Sequence, residues 1–349
     1  MNENIRSAKD IITSYKGRDL RIMEVCGTHT HEIFRLGIRN IMPENVDIIS
    51  GPGCPVCVTP VGFIDEAVWL ALEKGCVICT FGDLIRVPGT EMSLAGARSK
   101  GGRIRAVYSP LDAVEYAREN PGEQVVFLAV GFETTTPSAC LAAENAKKEG
   151  LKNFSLLTAN KTMPNAYKAL IGSADAFIYP GHVNAITGNK TCIELCEKHG
   201  VSGVVAGFTA SELLTAIAVT ITLADKGEPF FKNCYPRVVK DEGNPAAIRM
   251  MERVMQPCDS EWRGLDVIPM SGMELKEEYA EYDARKKYNM PKIEGRPNPA
   301  CRCGDVLQGK CKPSDCKVFG TVCTPQHPIG ACMVSGEGSC SAYYQYGNK

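Results

Sequence analysis

The first 230 residues of the chain contain short runs of apolar, β-branched residues at regular intervals. Each run is almost continuously apolar, which is typical of strands that are buried on both faces of a parallel sheet. The runs are 20–26, 46–50, 76–81, 104–108, 124–130, 154–158, 176–179 and 203–206. We therefore predict a strand at each of them.

Segments long enough for helices separate these runs, at 63–73, 91–100, 137–149, 192–199 and 211–223. Strands that alternate with helices indicate βαβ units and an α/β fold. The pattern comprises four strands followed by four more, which predicts two similar α/β domains with parallel sheets, residues 1–121 and 122–238. The boundary falls in Glu119–Gly122, which reads Glu-Asn-Pro-Gly.

The pattern changes after Pro236. Residues 244–255 and 272–286 resemble helices, and from Pro291 the chain is rich in Pro, Gly and Cys with little periodicity. Such a segment buries too little apolar surface to fold by hydrophobicity alone. We expect residues 239–349 to form a smaller, helical and Cys-rich domain that is organised around an inorganic group.

Composition narrows the class of function. The 39 Lys and Arg residues nearly balance the 40 Asp and Glu residues, so the net charge is −1. This balance argues against a protein that mainly binds nucleic acid or an anionic membrane. No apolar stretch reaches the roughly 18 residues of a membrane span, and residues 1–21 lack an apolar signal core. We expect a cytoplasmic protein.

Cysteine is unusually abundant, with 17 residues in 349. In a reducing cytosol these residues do not form a disulfide framework. Metal ligation and thiol redox chemistry remain as functional roles for these cysteines. The alternative is that they are structural thiols buried in the core.

The first candidate site is the segment Cys-Gly-Thr-His-Thr-His at 26–31, directly after the first apolar run. Ligands of open parallel sheets bind beyond the carboxyl ends of the strands, and a thiolate with imidazoles suits iron, zinc or copper. If a helix begins here, His29 and His31 lie about 200° apart, so only one faces Cys26. The alternative is a buried thiol ahead of a helix that Thr30 caps.

The second candidate is the Cys-x-x-Cys motif Cys54–Cys57 at a strand–helix junction. This is the arrangement of thioredoxin-type redox pairs, in which the helix N-terminus lowers the thiol pKa. It also fits half of a metal site. The only other such pair nearby, Cys76 and Cys79, lies in an apolar run and is expected in the core, so a redox role is favoured over structural zinc.

The third candidate is the tail, with cysteines at 301, 303, 311, 316, 323, 332 and 340. Four thiolates hold a [4Fe–4S] cluster. Zinc is the competing interpretation, but the C-x2-C knuckles usual for zinc are absent from the tail sequence, which favours the cluster. Four charged residues in other strand-end loops, Asp83, Arg86, Glu133 and Lys161, are expected to make structural hydrogen bonds or salt bridges.

These motifs closely resemble those of the HypD family of [NiFe]-hydrogenase maturation factors, and the resemblance runs nearly end to end. It rests on long, rare strings, at 24–31, 51–60, 81–89, 131–137 and 301–346.

The resemblance implies two α/β domains and a third that carries a [4Fe–4S] cluster. It implies a redox-active scaffold, rather than a turnover enzyme, on which the Fe(CN)2CO unit is assembled together with the small protein HypC. HypE, charged by HypF, delivers cyanide, and the iron unit then passes to the hydrogenase large subunit. Iron is the transient cargo in this scheme.

The resemblance also assigns residues. Cys26 is the expected ligand of the substrate iron, shared with a HypC cysteine, with His29 beside it, and Cys54 and Cys57 match the redox pair. The matches to the cluster ligands are Cys303, Cys316, Cys323 and Cys340. The additional tail cysteines Cys301, Cys311 and Cys332 leave this choice of four open, with Cys332 as the first replacement and Glu337 assisting nearby.

Two other functions remain open. A stand-alone iron–sulfur-dependent disulfide reductase would use the same tail and Cys54–Cys57 but would not need Cys26 or His29. A zinc-stabilised binding module is the third possibility. For the scaffold, we hypothesise an electron relay from the tail through Cys54 and Cys57 to iron at Cys26, which requires the three sites to converge.

Overall fold

The computed structural model describes residues 3–347, and within this range the strands form two sheets. The strands are β1 (Leu20–Glu24), β2 (Val46–Ser50), β3 (Val77–Thr80), β4 (Arg103–Ala106), β5 (Val125–Gly131), β6 (Phe154–Lys161), β7 (Ala176–Pro180), β8 (Gly203–Ala206), β9 (Phe231–Asn233), β10 (Met255–Trp262) and β11 (Asp266–Leu275). Every predicted run is a strand, so the α/β prediction is confirmed.

The first sheet has the order β2-β1-β7-β8-β9 and is parallel throughout. The second has the order β10-β11-β6-β5-β3-β4. Its pairs from β6 to β4 are parallel, whereas the hairpin β10–β11 joins the edge of β6 in antiparallel register.

The strand pairing does not follow the predicted boundary at residue 121. Strand β1 pairs with β7, with Ile22 opposite Ala176, although four strands of the second sheet, β3 to β6, lie between them in sequence. The second sheet in turn joins β3 and β4 to β5 and β6. Apolar runs reveal that a strand is buried on both faces, but they do not reveal which strand lies next to it.

Helices cover the faces of both sheets. They are α1 (Glu3–Ser14), α2 (Gly27–Arg35), α3 (Pro55–Val58), α4 (Val61–Leu72), α5 (Leu94–Ser99), α6 (Pro110–Glu119), α7 (Thr136–Glu149), α8 (Met163–Ala169), α9 (Gly181–Thr187), α10 (Lys190–His199), α11 (Ala210–Ala224), α12 (Pro245–Val254), α13 (Ala284–Lys287), α14 (Cys303–Leu307), α15 (Ala331–Val334) and α16 (Ser339–Tyr346). Helices α1 and α11 pack on the first sheet, while α4 packs on one face of the second sheet and α6 and α7 on the other.

The prediction for residues 272–286 was wrong. This segment completes β11 and continues into a short 3-10 helix at Glu277–Tyr282 and the single turn α13. The hairpin is solvated on one face, where Gln256 hydrogen-bonds to Glu274 across the strands at 2.9 Å. Such exposed polar residues resemble the outer face of a helix.

Residues 239–347 do not form a separate module either. Strands β10 and β11 extend the second sheet, and the tail packs into the common core. Cys332 and Met333 share one apolar cluster with Met23 and Val25 of the first sheet. Apolar contacts therefore connect the tail to the first sheet.

Within residues 3–347, none of the helices combines the length and the apolar character that crossing a bilayer would require.

Candidate functional site

The loops after β1 and β2 are in direct contact because these strands are parallel neighbours. The backbone N–H of Gly27 donates to the carbonyl of Gly53 at 2.9 Å. A Cβ atom at Gly53 would lie 2.1 Å from the Cys26 nitrogen. Only glycine permits this approach, which brings the Cys54–Cys57 motif against Cys26.

Cys26 is the N-cap residue of α2 and is 7% exposed. Burial raises the pKa of its thiol to about 12, and the carboxylates of Glu337 and Glu24 act in the same direction. The backbone N–H groups of His29 and Thr28 oppose this rise in pKa. The thiol therefore keeps its proton at neutral pH.

His29 is buried, whereas His31 is partly exposed and contacts Tyr346 edge-to-face, as the helical spacing predicts. The Nε2 atom of His29 lies 3.0 Å from the carbonyl oxygen of Gly207. Because a carbonyl only accepts, Nε2 carries the proton and Nδ1 is unprotonated. Nδ1 has no hydrogen-bond partner in the part of the chain that the structure describes, and burial lowers the His29 pKa to about 4.

Two further loops complete this end of the first sheet. After β7, the ring of His182 stacks on Phe208 at 3.9 Å, and Phe208, from the loop after β8, contacts the ring of His29 at 4.8 Å. From the tail, Glu337 accepts a hydrogen bond from the Thr28 hydroxyl at 2.7 Å. Sequence reasoning did not assign His182 to the site, because its place depends on β7 lying next to β1.

Cys54 and Cys57 form a close buried pair with their Sγ atoms 2.6 Å apart. The backbone N–H of Cys57 also donates to Cys54 Sγ at 3.2 Å. The following helix, α3, is a single turn, and burial raises the pKa of Cys57 well above its usual value, with Cys332 and Cys54 adding to the rise. The expected lowering by a helix N-terminus therefore does not hold for Cys57.

Cys332 connects this pair to the tail. Its fully buried sulfur accepts hydrogen bonds from the thiols of Cys303, Cys340 and Cys57, which lower its pKa well below the usual value despite burial. Cys54, Cys57, Cys332, Cys303 and Cys340 lie in one buried cluster, and we call these five residues the line of sulfur atoms.

The remaining tail cysteines lie around Gly330. The Sγ atoms of Cys301 and Cys303 are 3.2 Å apart, and a Cβ atom at Gly330 would lie 2.5 Å and 2.4 Å from them. Cys323 Sγ accepts from the backbone N–H of Ile329 at 3.4 Å. Cys316 Sγ lies 3.8 Å from the carbonyl oxygen of Ala300.

Cys311 stands apart from this group, beside a small cavity of about 190 Å³. Across residues 3–347, no group of three or more His, Cys, Asp or Glu side chains is arranged to hold a single metal ion. A [4Fe–4S] cluster instead takes its four thiolates on separate irons, so its ligands need not converge on one point. Gly330 packs directly against the sulfur atoms of Cys301 and Cys303, where a side chain would displace them.

The isolated charged residues have structural partners, as expected. Glu133 Oε1 accepts from the backbone N–H of Met163 at 2.9 Å, and Lys161 donates to the Ser260 hydroxyl at 2.7 Å. Arg86 donates to the carbonyl of Pro325 at 2.9 Å. Burial raises the Glu133 pKa to about 7.

Relatives of the chain are hydrogenase maturation proteins. A HypD family model, described as the hydrogenase formation hypA family, matches residues 3–347. The chain is 41% identical to the hydrogenase maturation factor HypD of Escherichia coli (strain K12) over 351 residues, which cover 99% of this chain and 94% of that protein. It is 42% identical to a putative hydrogenase expression/formation protein of Methanocaldococcus jannaschii over 330 residues, covering 94% of this chain and 92% of that protein.

Replacing Gly53 by Ala should separate the Cys26 and Cys54 loops. The added methyl group would overlap the Cys26 backbone, so we expect the free energy of unfolding to fall by about 1–3 kcal/mol. Urea denaturation measures this change. Gly122→Ala is the matched control because nothing lies within 4 Å of its Cβ position. Equal effects of the two variants would contradict the close contact.

Glu133 should make stability depend on pH. Its pKa is about 7 in the folded protein and 4.5 as an ordinary value, so the folded state binds the extra proton between these pH values. The contribution of Glu133 to stability should therefore fall by about 3 kcal/mol as pH rises from 4.5 to about 7. Urea denaturation across this window should show that the profile of Glu133→Gln differs from that of the unmodified protein by this amount, whereas the profile of the exposed Glu115→Gln does not. Parallel profiles for Glu133→Gln and the unmodified protein would contradict the assignment.

Proposed function

Because the chain belongs to the HypD family, whose named relatives are hydrogenase maturation factors, we propose that it is an assembly scaffold for the Fe(CN)2CO unit of [NiFe]-hydrogenases. It works with a HypC-type small chaperone and a HypE-type cyanide donor, and the hydrogenase large subunit receives the product. The observation that carries this proposal is the buried Cys26 thiol on a loop that contacts Gly53, the residue directly before the Cys54–Cys57 pair.

Cys26 is the ligand for the cargo iron. An iron that carries cyanide and carbon monoxide is soft enough to favour thiolate ligands, and binding would release the proton that burial keeps on Cys26. His29 stays neutral because its pKa is lowered to about 4. It therefore adds no positive charge to compete with iron for the thiolate, while its free Nδ1 can accept a hydrogen bond.

The line of sulfur atoms supports a thiol–disulfide relay. The Cys332 thiolate attacks Cys57 Sγ of an oxidised Cys54–Cys57 pair, forming a Cys332–Cys57 disulfide and releasing Cys54 as a thiolate that takes up a proton. The deprotonated thiol of Cys303 then attacks Cys332 Sγ and releases Cys57. Two electrons have moved to the Cys54–Cys57 dithiol beside Cys26, and a Cys303–Cys332 disulfide remains.

The same contacts bear on the cluster ligands. Cys303 belongs to the same buried cluster as Cys332, and Cys301 packs against that cluster with its Sγ atom 3.2 Å from Cys303 Sγ. A relay through Cys303 therefore favours Cys301 in its place as a ligand, one of the replacements that the sequence left open. The set is then Cys301, Cys316, Cys323 and Cys340. When bound, a [4Fe–4S] cluster supplies single electrons.

Infrared spectroscopy tests the iron ligand. The protein would be purified anaerobically with a HypC-type partner, and its iron and sulfide contents measured. We expect cyanide and carbon monoxide stretching bands that disappear in Cys26→Ala, because the iron loses its thiolate, and persist in Cys192→Ala, which removes another buried thiol. Bands that survive in Cys26→Ala would refute the assignment, and a cluster without bands would favour the disulfide reductase.

The relay predicts that Cys332→Ala slows reduction of an oxidised Cys54–Cys57 pair. With dithionite as reductant, the rate should fall by at least about tenfold, because the attacking thiolate is lost. Alkylation and mass spectrometry of the two thiols follow the reaction. Cys140→Ala, which also truncates a fully buried cysteine, should leave the rate unchanged. An unchanged rate in Cys332→Ala would exclude Cys332 as the intermediate.

A further inference from the structure

Lys161 is a buried amine at the end of β6 that contacts a serine hydroxyl. Its side chain belongs to a residue that is 1% exposed. The Nζ atom donates to the Ser260 hydroxyl at 2.7 Å and to the Glu261 carbonyl, and it lies 5.1 Å from the centre of the Trp262 ring. Both acceptors are uncharged oxygens, so neither compensates the positive charge of a buried ammonium group.

The pairing of the second sheet fixes this contact. Lys161 lies opposite Gly272 of β11, and Ser260 lies on β10 where the register between β10 and β11 shifts. A Cβ atom at Gly272 would lie 2.7 Å from the Cβ atom of Ser260. Glycine at this position therefore leaves the room in which the Ser260 hydroxyl reaches the amine.

Lys161 and Ser260 line the same surface cavity, which has a volume of about 300 Å³. Ser260 is partly exposed, whereas Lys161 is buried. A hydroxyl that a small molecule can reach thereby lies beside an amine that is kept from water.

The charge of this cavity is predominantly negative. Apart from Lys161, its charged residues are Glu66, Asp259, Glu261, Glu274 and Arg285. Arg285 pairs with Glu66 at 2.6 Å, so three carboxylates remain against the single amine. The cavity therefore favours a neutral substrate over an anionic one.

Burial makes the amine a base near neutral pH. It lowers the pKa of Lys161 to about 7. The charge of Arg285 acts in the same direction, whereas Glu261 and Cys258 oppose it. A neutral lysine has a lone pair that can accept the Ser260 proton, and buried lysines act as general bases for this reason. Pairs of a nucleophilic serine and a lysine base recur on unrelated folds.

We propose that Ser260 and Lys161 form a nucleophile–base dyad that hydrolyses small neutral esters through an acyl-serine. Ser260 Oγ attacks the carbonyl carbon while Lys161 takes the hydroxyl proton. The ester C–O bond then breaks, and Lys161 gives the proton to the departing alcohol, which leaves acyl-Ser260. Water attacks the acyl carbon in the same way and releases the carboxylic acid and the free Ser260 hydroxyl. This activity is separate from the proposed function, since it uses none of the residues assigned there.

Reaction of the full chain with 4-nitrophenyl acetate tests the dyad, with acid quenching and peptide mass spectrometry to assign each acetyl group to a residue. We expect Ser260 to be acetylated at least about a hundredfold faster than Ser173. Ser173 is a partly buried serine whose hydroxyl donates to the Leu170 carbonyl at 2.6 Å. The rate at Ser260 should follow the deprotonation of a group with a pKa of about 7, that of Lys161. Acetyl phosphate, an anionic donor of the same acyl group, should label Ser260 more slowly.

Lys161→Met removes the base and keeps a side chain of similar length, so the acetylation rate of Ser260 should fall about a hundredfold. Lys287→Met is the matched control. Burial also lowers the pKa of Lys287, but this lysine donates to the Lys152 carbonyl at 2.6 Å. The control should leave the rate at Ser260 unchanged.

Three results would overturn the dyad: equal acetylation of Ser260 and Ser173, acetylation of Lys161 in place of Ser260, or an unchanged rate in Lys161→Met. Equal labelling by acetyl phosphate would overturn the preference for a neutral ester. If Lys161→Met does not fold, the pH profile of the unmodified protein decides the role of the base. A plateau above pH 7 supports Lys161, whereas a rate that stays proportional to hydroxide excludes it.

Discussion

The site depends on the contact between the Gly53 and Cys26 backbones. Parallel pairing of β1 and β2 brings the two loops together, and the missing side chain of Gly53 lets them touch. The thiol proposed to bind iron and the thiol pair proposed to carry electrons thereby lie at one sheet edge. The conformation of either loop is constrained by the other, so a cysteine motif that is short in sequence acts within a larger, rigid arrangement.

Burial of so many thiols would ordinarily make them inert. Removing water raises the pKa of Cys26 and Cys57, because a thiolate is poorly stabilised in an apolar core. Cys332 differs because three neighbouring thiols donate to it. These hydrogen bonds oppose the effect of burial on the pKa of the Cys332 thiol.

The strands and most helices could be predicted because buried parallel strands leave continuous apolar runs, as in β2 and β5. The pairing of the strands could not be predicted, since nothing local to β1 specifies β7 as its neighbour. Cys26, Cys54 and Cys57 were identified because they lie in sequence motifs. The place of His182 was not identified, because it depends on the pairing of β7 with β1. The central position of Cys332 depends on tertiary packing of the tail, which its Pro, Gly and Cys content concealed.

The chain passes back and forth between the two sheets, and this path places residues of the tail inside the candidate site. Glu337 binds Thr28 at the start of α2, and Cys332 binds Cys57. Both therefore hold residues more than 250 positions earlier in the sequence. Because α15 also packs on the core of the second sheet, a shift of the tail would move Cys332 and Glu337 together. The contacts of Cys57 and the carboxylate beside Cys26 are consequently coupled through one segment, which a set of three independent domains would not achieve.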